Sequence, residues 1–205
     1  MQNQALQSAQ YQASEANGMH LILITGVPGV GKTTIIRNLG LELTKHSIKF
    51  SGFYTEELRN AHGERCGFDI VTFEGKRATL SRASTIVKNT TAQNRVGKYT
   101  VTVPEFESVA LPVLDICSAN ILLLDEIGKM ELKSKAFEKR LTQLSCSINK
   151  GELFFVATIP MKTTSSIVDN LKNIKHTLFH VTVTNRNQIY QNILETTFRM
   201  IDKKL

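Results

Sequence analysis

Three short runs of uninterrupted apolar residues punctuate the chain: Leu21-Ile22-Leu23-Ile24, Ile121-Leu122-Leu123-Leu124 and Leu153-Phe154-Phe155-Val156-Ala157. Each is too short for a buried helix and has the continuous apolar character of a parallel strand covered on both faces. Between and after them the spacing changes to the helical period. Ile35, Ile36, Leu39 and Leu43 mark a helix from Thr33 to about His46, and Phe106, Val109, Ala110, Val113 and Leu114 mark one opened by Pro104 and Glu105. Met130, Phe137, Leu141 and Leu144 predict a helix over Met130–Ile148, followed by one from Ser165 to about His176 and a closing one from Gln188 to about Asp202. Leu178 to Thr184 reads as a further strand.

The middle of the chain follows another rhythm. Lys49–Thr55 reads as a strand that ends in Glu56, Glu57 and Arg59, with turn chemistry at Asn60-Ala61-His62-Gly63 and Glu74-Gly75-Lys76. Gly67–Phe73 and the Tyr99/Val101/Val103 series alternate as half-buried strands do. The section from Gly52 to Val103 therefore reads as antiparallel hairpins inserted into an α/β fold, with a mobile loop expected over Ser84–Asn94. Apolar strands interleaved with amphipathic helices predict a mostly parallel sheet covered by helices on both faces. Ligands on such sheets bind at the carboxyl ends of the strands.

The polar residues at those ends carry the chemistry. The first apolar strand runs into Gly26-Val27-Pro28-Gly29-Val30-Gly31-Lys32-Thr33-Thr34, which matches G-x-x-x-x-G-K-[ST]. Strand, glycine loop and helix N-terminus in that order build a phosphate cradle from inward-pointing N–H groups and the helix dipole. Lys32 supplies a charge for the outer phosphates, and the Thr33 hydroxyl is placed to ligate Mg²⁺. The second apolar strand ends in Asp125-Glu126. Asp125 in that position is the Walker B carboxylate expected to hold Mg²⁺, and Glu126 is a candidate general base that activates water. A phosphotransferase has reason to exclude such a base, so the pair favours hydrolysis. Thr158 ends the third strand, expected between the other two, and is a candidate contact to the γ-phosphate or to water. Lys129, Arg59, Arg82, Arg95 and Arg186 are all candidates for the cation that stabilises transition-state charge, and Asn185-Arg186 for contact with the base.

Composition narrows the class without deciding it. With 205 residues, 41% hydrophobic and 21% charged, the chain has the make-up of a globular protein with one substantial core, assigned here to residues 19–205. Residues 1–18, rich in Gln, Ala, Ser and Asn and without Lys or Arg, read as a disordered polar tail and not as a targeting segment. No apolar run reaches the ~18 residues of a membrane span. Cys66, Cys117 and Cys146 form neither a disulfide framework nor a zinc site, which fits a reducing, cytoplasmic setting, and the five histidines show no metal spacing. The net charge of +7 is scattered, so a nucleic-acid partner is not the expectation.

Taken together, the segments at 26–34 and 125–132 (Asp-Glu-Ile-Gly-Lys-Met-Glu-Leu) resemble the thermophile-type nucleoside-triphosphatase family, with its animal cancer-related nucleoside-triphosphatase branch. Gly-Phe-Tyr-Thr-Glu-Glu (52–57), Gly-Phe-Asp-Ile-Val-Thr (67–72), Arg-Val-Gly-Lys-Tyr (95–99), Thr-Ile-Pro (158–160) and Val-Thr-Val-Thr-Asn-Arg (181–186) extend the likeness from about Met19 to the end. The resemblance implies a RecA-like P-loop NTPase fold with a strand inserted between the P-loop and Walker B strands. It implies slow, Mg²⁺-dependent hydrolysis of ATP, GTP, CTP, UTP and TTP to diphosphates, with nucleotide contacts from Gly26 through Thr33 and at Asp125 and Glu126. A monomer is the expected state. The polar tail lies outside the resemblance, and the loop Met161-Lys162-Thr163-Thr164 is shorter and poorer in Pro and Gly than in the animal branch. A nucleotide or nucleoside kinase, and a nucleotide-switched RNA- or partner-binding protein, are the competing readings.

Overall fold

The computed structural model describes residues 19–85, 94–115, 120–162 and 165–202. The expectations for the tail at 1–18, for most of the loop at 84–94, for Cys117 and for Thr163 and Thr164 fall outside those residues. The three apolar runs form β1 (Leu21–Gly26), β7 (Ile121–Leu124) and β8 (Phe154–Ile159). They join β2 (Ser51–Arg59), β3 (Arg65–Thr72), β4 (Arg77–Ala83), β5 (Arg95–Val96), β6 (Tyr99–Val101) and β9 (Thr177–Val181) in a nine-stranded sheet of order β5-β6-β4-β3-β2-β7-β8-β1-β9. Strands β2, β7, β8, β1 and β9 run parallel. From the far side of β2, strands β3, β4, β6 and β5 continue the sheet antiparallel.

The expected α/β architecture is thus observed, including β8 between β1 and β7. The antiparallel insertion does not form a separate layer; it lengthens one edge of the main sheet. Strand β4 is absent from the hydrophobic pattern because Arg77, Thr79, Ser81 and Arg82 interrupt it, and its place depends on pairing with β3.

Alternate residues of each parallel strand feed two cores. Leu21, Leu23, Leu122, Leu124, Phe155 and Ala157 point to a core shared with α2 (Val103–Val113), α3 (Lys135–Asn149) and α4 (Ser166–Asn173). Ile22, Ile24, Ile121, Leu123, Phe154 and Val156 point to the other, against α1 (Lys32–Lys45) and α5 (Arg186–Asp202). This period-two division over strands that are apolar throughout is what two helical layers require.

Two details set the geometry beneath the strand tips. Gly52, at φ 146°, lies so close to β7 that a Cβ there would sit 1.9 Å from the Leu123 carbonyl oxygen, so only glycine lets β2 pair at this register. Phe53, Phe106 and Phe137 then close a triangle of rings, with centroids 5.2 to 6.0 Å apart, that locks β2, α2 and α3 together.

The helix expected from Met130 begins later. Glu131–Lys133 form a single 3₁₀ turn, and α3 starts behind Ser134, whose Oγ accepts the Phe137 N–H at 2.9 Å and donates to Glu107 at 2.6 Å. A serine N-cap of this kind outweighs the propensity of the preceding residues.

Phe137→Ala is expected to destabilise the protein by about 3–5 kcal/mol, whereas Val183→Ala, at an exposed position, stays within about 0.5 kcal/mol. Urea unfolding of the nucleotide-free proteins checks both.

Candidate active site

The cradle is built by backbone first. Strand β1 ends at Gly26 and α1 begins at Lys32, with Gly29 (φ 77°) and Gly31 (φ 113°) in the left-handed conformation the loop needs. Val30 is buried and anchors the loop to the core. No side chain caps α1 and its first turn has no acidic residue, so its N–H groups and positive dipole end face the cleft without internal competition. Lys32 is 7% exposed; its Nζ donates to the Gly26 carbonyl at 3.0 Å and lies 3.4 Å from that of Val27.

Asp125 sits at the tip of β7, 1% exposed, and gathers donors from three elements. Its Oδ2 accepts from the Thr33 hydroxyl of α1 at 2.6 Å and from the Thr55 hydroxyl of β2 at 3.1 Å. Its Oδ1 accepts from the Thr158 hydroxyl of β8 at 2.6 Å. Thr158 is completely buried and does not line the cleft; its hydroxyl, a candidate for phosphate or water, is engaged by Asp125 in this structure. Thr55 was not singled out in the sequence; a threonine in a strand carries no signal until β2 is known to pair with β7.

Glu126 follows through a cis peptide bond and turns into the cleft, where its Oε2 lies 3.6 Å from Lys32 Nζ. It faces Lys32 and not Lys129. Burial raises its pKa above the usual carboxylate range; Lys32 pulls it down, and the negative charge of Asp125 pushes it up again. Glu131, in the 3₁₀ turn, is a second surprise. Its side chain is buried, its Oε2 accepts the Gly128 N–H at 3.0 Å, and burial, reinforced by the nearby charge of Glu126, pushes its pKa up to about 8. The sequence placed Glu131 inside the helix expected from Met130; with α3 starting later, it lies instead in the buried 3₁₀ turn.

Lys32, Thr33, Thr55, Glu126 and Glu131 line a cavity of about 940 Å³, with Asp125 buried behind them. The loop and the start of α1 line it through Pro28, Gly29 and Gly31–Thr34, and Glu126, Gly128 and Lys129 line it after β7. Strands β2 and β3 line it through Thr55, Glu57, Arg65 and Phe68. Of the five cations considered from sequence, Lys129 alone lines the cavity. Arg59 pairs with Glu57, Arg82 with Asp69 at 2.7 Å, and neither Arg95 nor Arg186 lines it. Asn185 accepts the Thr182 N–H at 2.8 Å and donates to the His180 carbonyl, which ties its own turn. Arg37, Arg65 and Lys162 do line the cavity, although nothing in their sequence spacing marks them. Arg37 stacks over Tyr54 at 4.8 Å, and Arg65 pairs with Glu57.

Among the described residues no group of three or more His, Cys, Asp or Glu side chains has the geometry of a metal cage. The Thr33 hydroxyl and the Asp125 carboxylate are hard oxygen donors, and they meet directly below the phosphate loop. A donor set of one carboxylate and one hydroxyl, completed by water and substrate phosphates, suits a hard divalent cation such as Mg²⁺.

A family model described as NTPase matches residues 21–194. The chain belongs to this NTPase family. It is 37% identical to human cancer-related nucleoside-triphosphatase over 182 residues, covering 84% of this chain and 94% of that protein. Identity to nucleoside-triphosphatase THEP1 of Aquifex aeolicus is also 37% over 182 residues, covering 84% of this chain and 96% of the relative. The fold is similar to the crystal structure of Aquifex aeolicus THEP1, with a TM-score of 0.72 at 35% identity over 86% of this chain and 98% of the other. The solution structure of a human cancer-related nucleoside triphosphatase gives the same TM-score of 0.72 at 35% identity, covering 87% and 97%. The P-loop NTPase fold expected from the sequence is therefore present. Among the described residues no helix is long and apolar enough to cross a membrane.

Because the folded protein holds a proton on Glu131 that the unfolded chain releases near its ordinary pKa of 4.5, burial of this group opposes folding increasingly as pH rises from about 4.5 to about 8. Glu131→Gln is expected to remove that slope, making the variant more stable relative to wild type at pH 9 than at pH 5. Thermal unfolding across this range, without nucleotide, checks the sign.

Proposed function

We propose that the cleft hydrolyses nucleoside 5′-triphosphates to diphosphate and phosphate, with Glu126 as the general base. The observation that carries this reading is the Glu126 carboxylate beside Lys32, one residue beyond the buried Asp125 and open to the cleft. In the proposed reaction the triphosphate lies along Gly26–Thr34, where loop N–H groups and the α1 dipole neutralise its charge. Lys32 exchanges its carbonyl contacts for the outer phosphate oxygens. Thr33 and Asp125 would hold Mg²⁺, which when bound neutralises charge on the phosphate oxygens. Thr55 and Thr158 keep the Asp125 carboxylate in place. Glu126 takes a proton from the water aligned with the γ-phosphate, and its raised pKa makes it a better proton acceptor than an exposed glutamate. Lys129, which follows the acidic pair and lines the cavity, is the cation assigned to the charge that develops in the transition state, with Arg37 of α1 and Arg65 of β3 as further cations lining the same cavity.

Broad base tolerance is part of the proposal. What supports it is that the residues assigned here act on phosphates and metal alone. A monomer acting without nucleic acid is likewise part of the proposal.

Phosphoryl transfer to a small acceptor is a second reading, favoured by one observation. Beyond Glu126 the cavity continues to Phe68, Leu80, Val96 and Met130, an apolar wall that a triphosphate cradle alone does not need. An acceptor that raises diphosphate production and itself becomes phosphorylated would establish it.

For the hydrolytic reading, Glu126→Gln should lower kcat by about 10²–10⁴-fold and leave KM for MgATP within about three-fold, measured by phosphate release. A variant retaining turnover within a few-fold of wild type removes Glu126 as the base.

A further inference from the structure

The proposed reaction gives Glu131 no task, yet it is buried and hydrogen-bonded to the backbone beside Glu126. The chain leaving Glu126 is tied on both sides. The Ile127 N–H donates to the Thr158 carbonyl at 3.0 Å, and the Gly128 carbonyl accepts the Leu132 N–H at 3.1 Å. The Gly128 N–H is held by the Glu131 carboxyl group, three residues further along. A Cβ added to Gly128 would lie 2.9 Å from Glu131 Oε2 and 3.0 Å from Glu126 Oε1, so both carboxyl groups converge on the same small space above this glycine. The other oxygen of Glu126 faces Lys32. The Glu126 side chain is therefore framed by Lys32 on one side and by the Gly128–Glu131 contact on the other.

We propose that Glu131 is a positioning residue for Glu126: by holding the Gly128 N–H it keeps the turn after Asp125-Glu126 closed and fixes where the Glu126 carboxylate points. This proposal rests on the reading of Glu126 as the base. Glu131 reaches no phosphate-cradle residue through any contact described above, so its effect falls on the reacting water and not on nucleotide affinity. Its burial also favours the neutral acid at neutral pH, which spares Glu126 a like charge at close range. A base displaced by as little as an ångström loses alignment with the attacking water, and such errors cost about 10²-fold in rate.

The test is steady-state phosphate release from MgATP by the full chain, together with calorimetric binding of a Mg²⁺-bound non-hydrolysable ATP analogue. Glu131→Ala should lower kcat by about 10²-fold with analogue Kd within about three-fold of wild type. Glu131→Gln should restore kcat to within about three-fold, because its amide oxygen still accepts the Gly128 N–H. Gly128→Ala keeps the Glu131 side chain but forces a methyl group between the two carboxyls, displacing the Glu131 contact, and it should reproduce the Glu131→Ala loss; it serves as the second variant if Glu131→Ala does not fold. Adding Glu131→Ala to Glu126→Gln should cost no more than about three-fold beyond Glu126→Gln alone, as expected for residues acting through one another. The proposal is overturned if folded Glu131→Ala and Gly128→Ala turn over within three-fold of wild type, if Glu131→Gln loses as much as Glu131→Ala, or if Kd weakens in step with kcat. An inactive Glu126→Gln beside an active Glu131→Ala overturns the positioning role alone, whereas an active Glu126→Gln overturns the base as well.

Discussion

The arrangement depends on the hydroxyl contacts that converge on the Asp125 carboxylate. A carboxylate at 1% exposure is costly to bury unless its lone pairs are satisfied, and here Thr33, Thr55 and Thr158 satisfy them from a helix and two strands. The same contacts bring the carboxyl ends of β7 and β8, the middle of β2 and the start of α1 to one point. The phosphate loop and the acidic tip, 92 residues apart in the sequence, are thereby joined by a single 2.6 Å hydrogen bond. The Thr33–Asp125 bond ties the structure of the sheet to the chemistry of the cleft.

Around that point the site divides the two kinds of charge it must manage. The loop, the α1 dipole and Lys32 offer positive potential to phosphate. Asp125, Glu126 and Glu131 concentrate negative charge or its neutral acid form on the other side, in a volume that burial keeps at low dielectric. Low dielectric strengthens both sets. It also accounts for the contacts that hold the turn after Glu126: two adjacent buried carboxylates repel each other unless the backbone turns them apart. The antiparallel strands beyond β2 complete the cleft by supplying part of its lining.

Much of this was legible in the sequence, for physical reasons that differ by element. The strands β1, β7 and β8 were plain because a doubly covered strand must be apolar at every position, and Gly26–Thr34 because a phosphate loop needs its glycines at fixed spacing. Asp125 and Glu126 stood out as two acids at the end of such a strand. What stayed hidden depends on contacts between distant segments. Thr55 becomes a ligand of Asp125 only when Gly52 lets β2 lie against β7, and Thr158 lies outside the cleft with its hydroxyl engaged by Asp125. Glu131 read as part of a helix until Ser134 took the cap. Arg37, Arg65 and Lys162 reach the cleft through tertiary placement, whereas Arg59 and Arg82, equally plausible by position, are drawn into ion pairs of the inserted strands.

The central claim is that the two adjacent acids divide the work, with Asp125 serving the metal and Glu126 the water. Calorimetric titration of a non-hydrolysable ATP analogue with and without Mg²⁺, in wild type, Asp125→Asn and Glu126→Gln, tests it directly. The account predicts that Asp125→Asn abolishes most of the Mg²⁺-dependent gain in affinity while metal-free binding changes little, and that Glu126→Gln keeps the full gain. A Mg²⁺-dependent gain that survives in Asp125→Asn, or one that disappears in Glu126→Gln, contradicts the division.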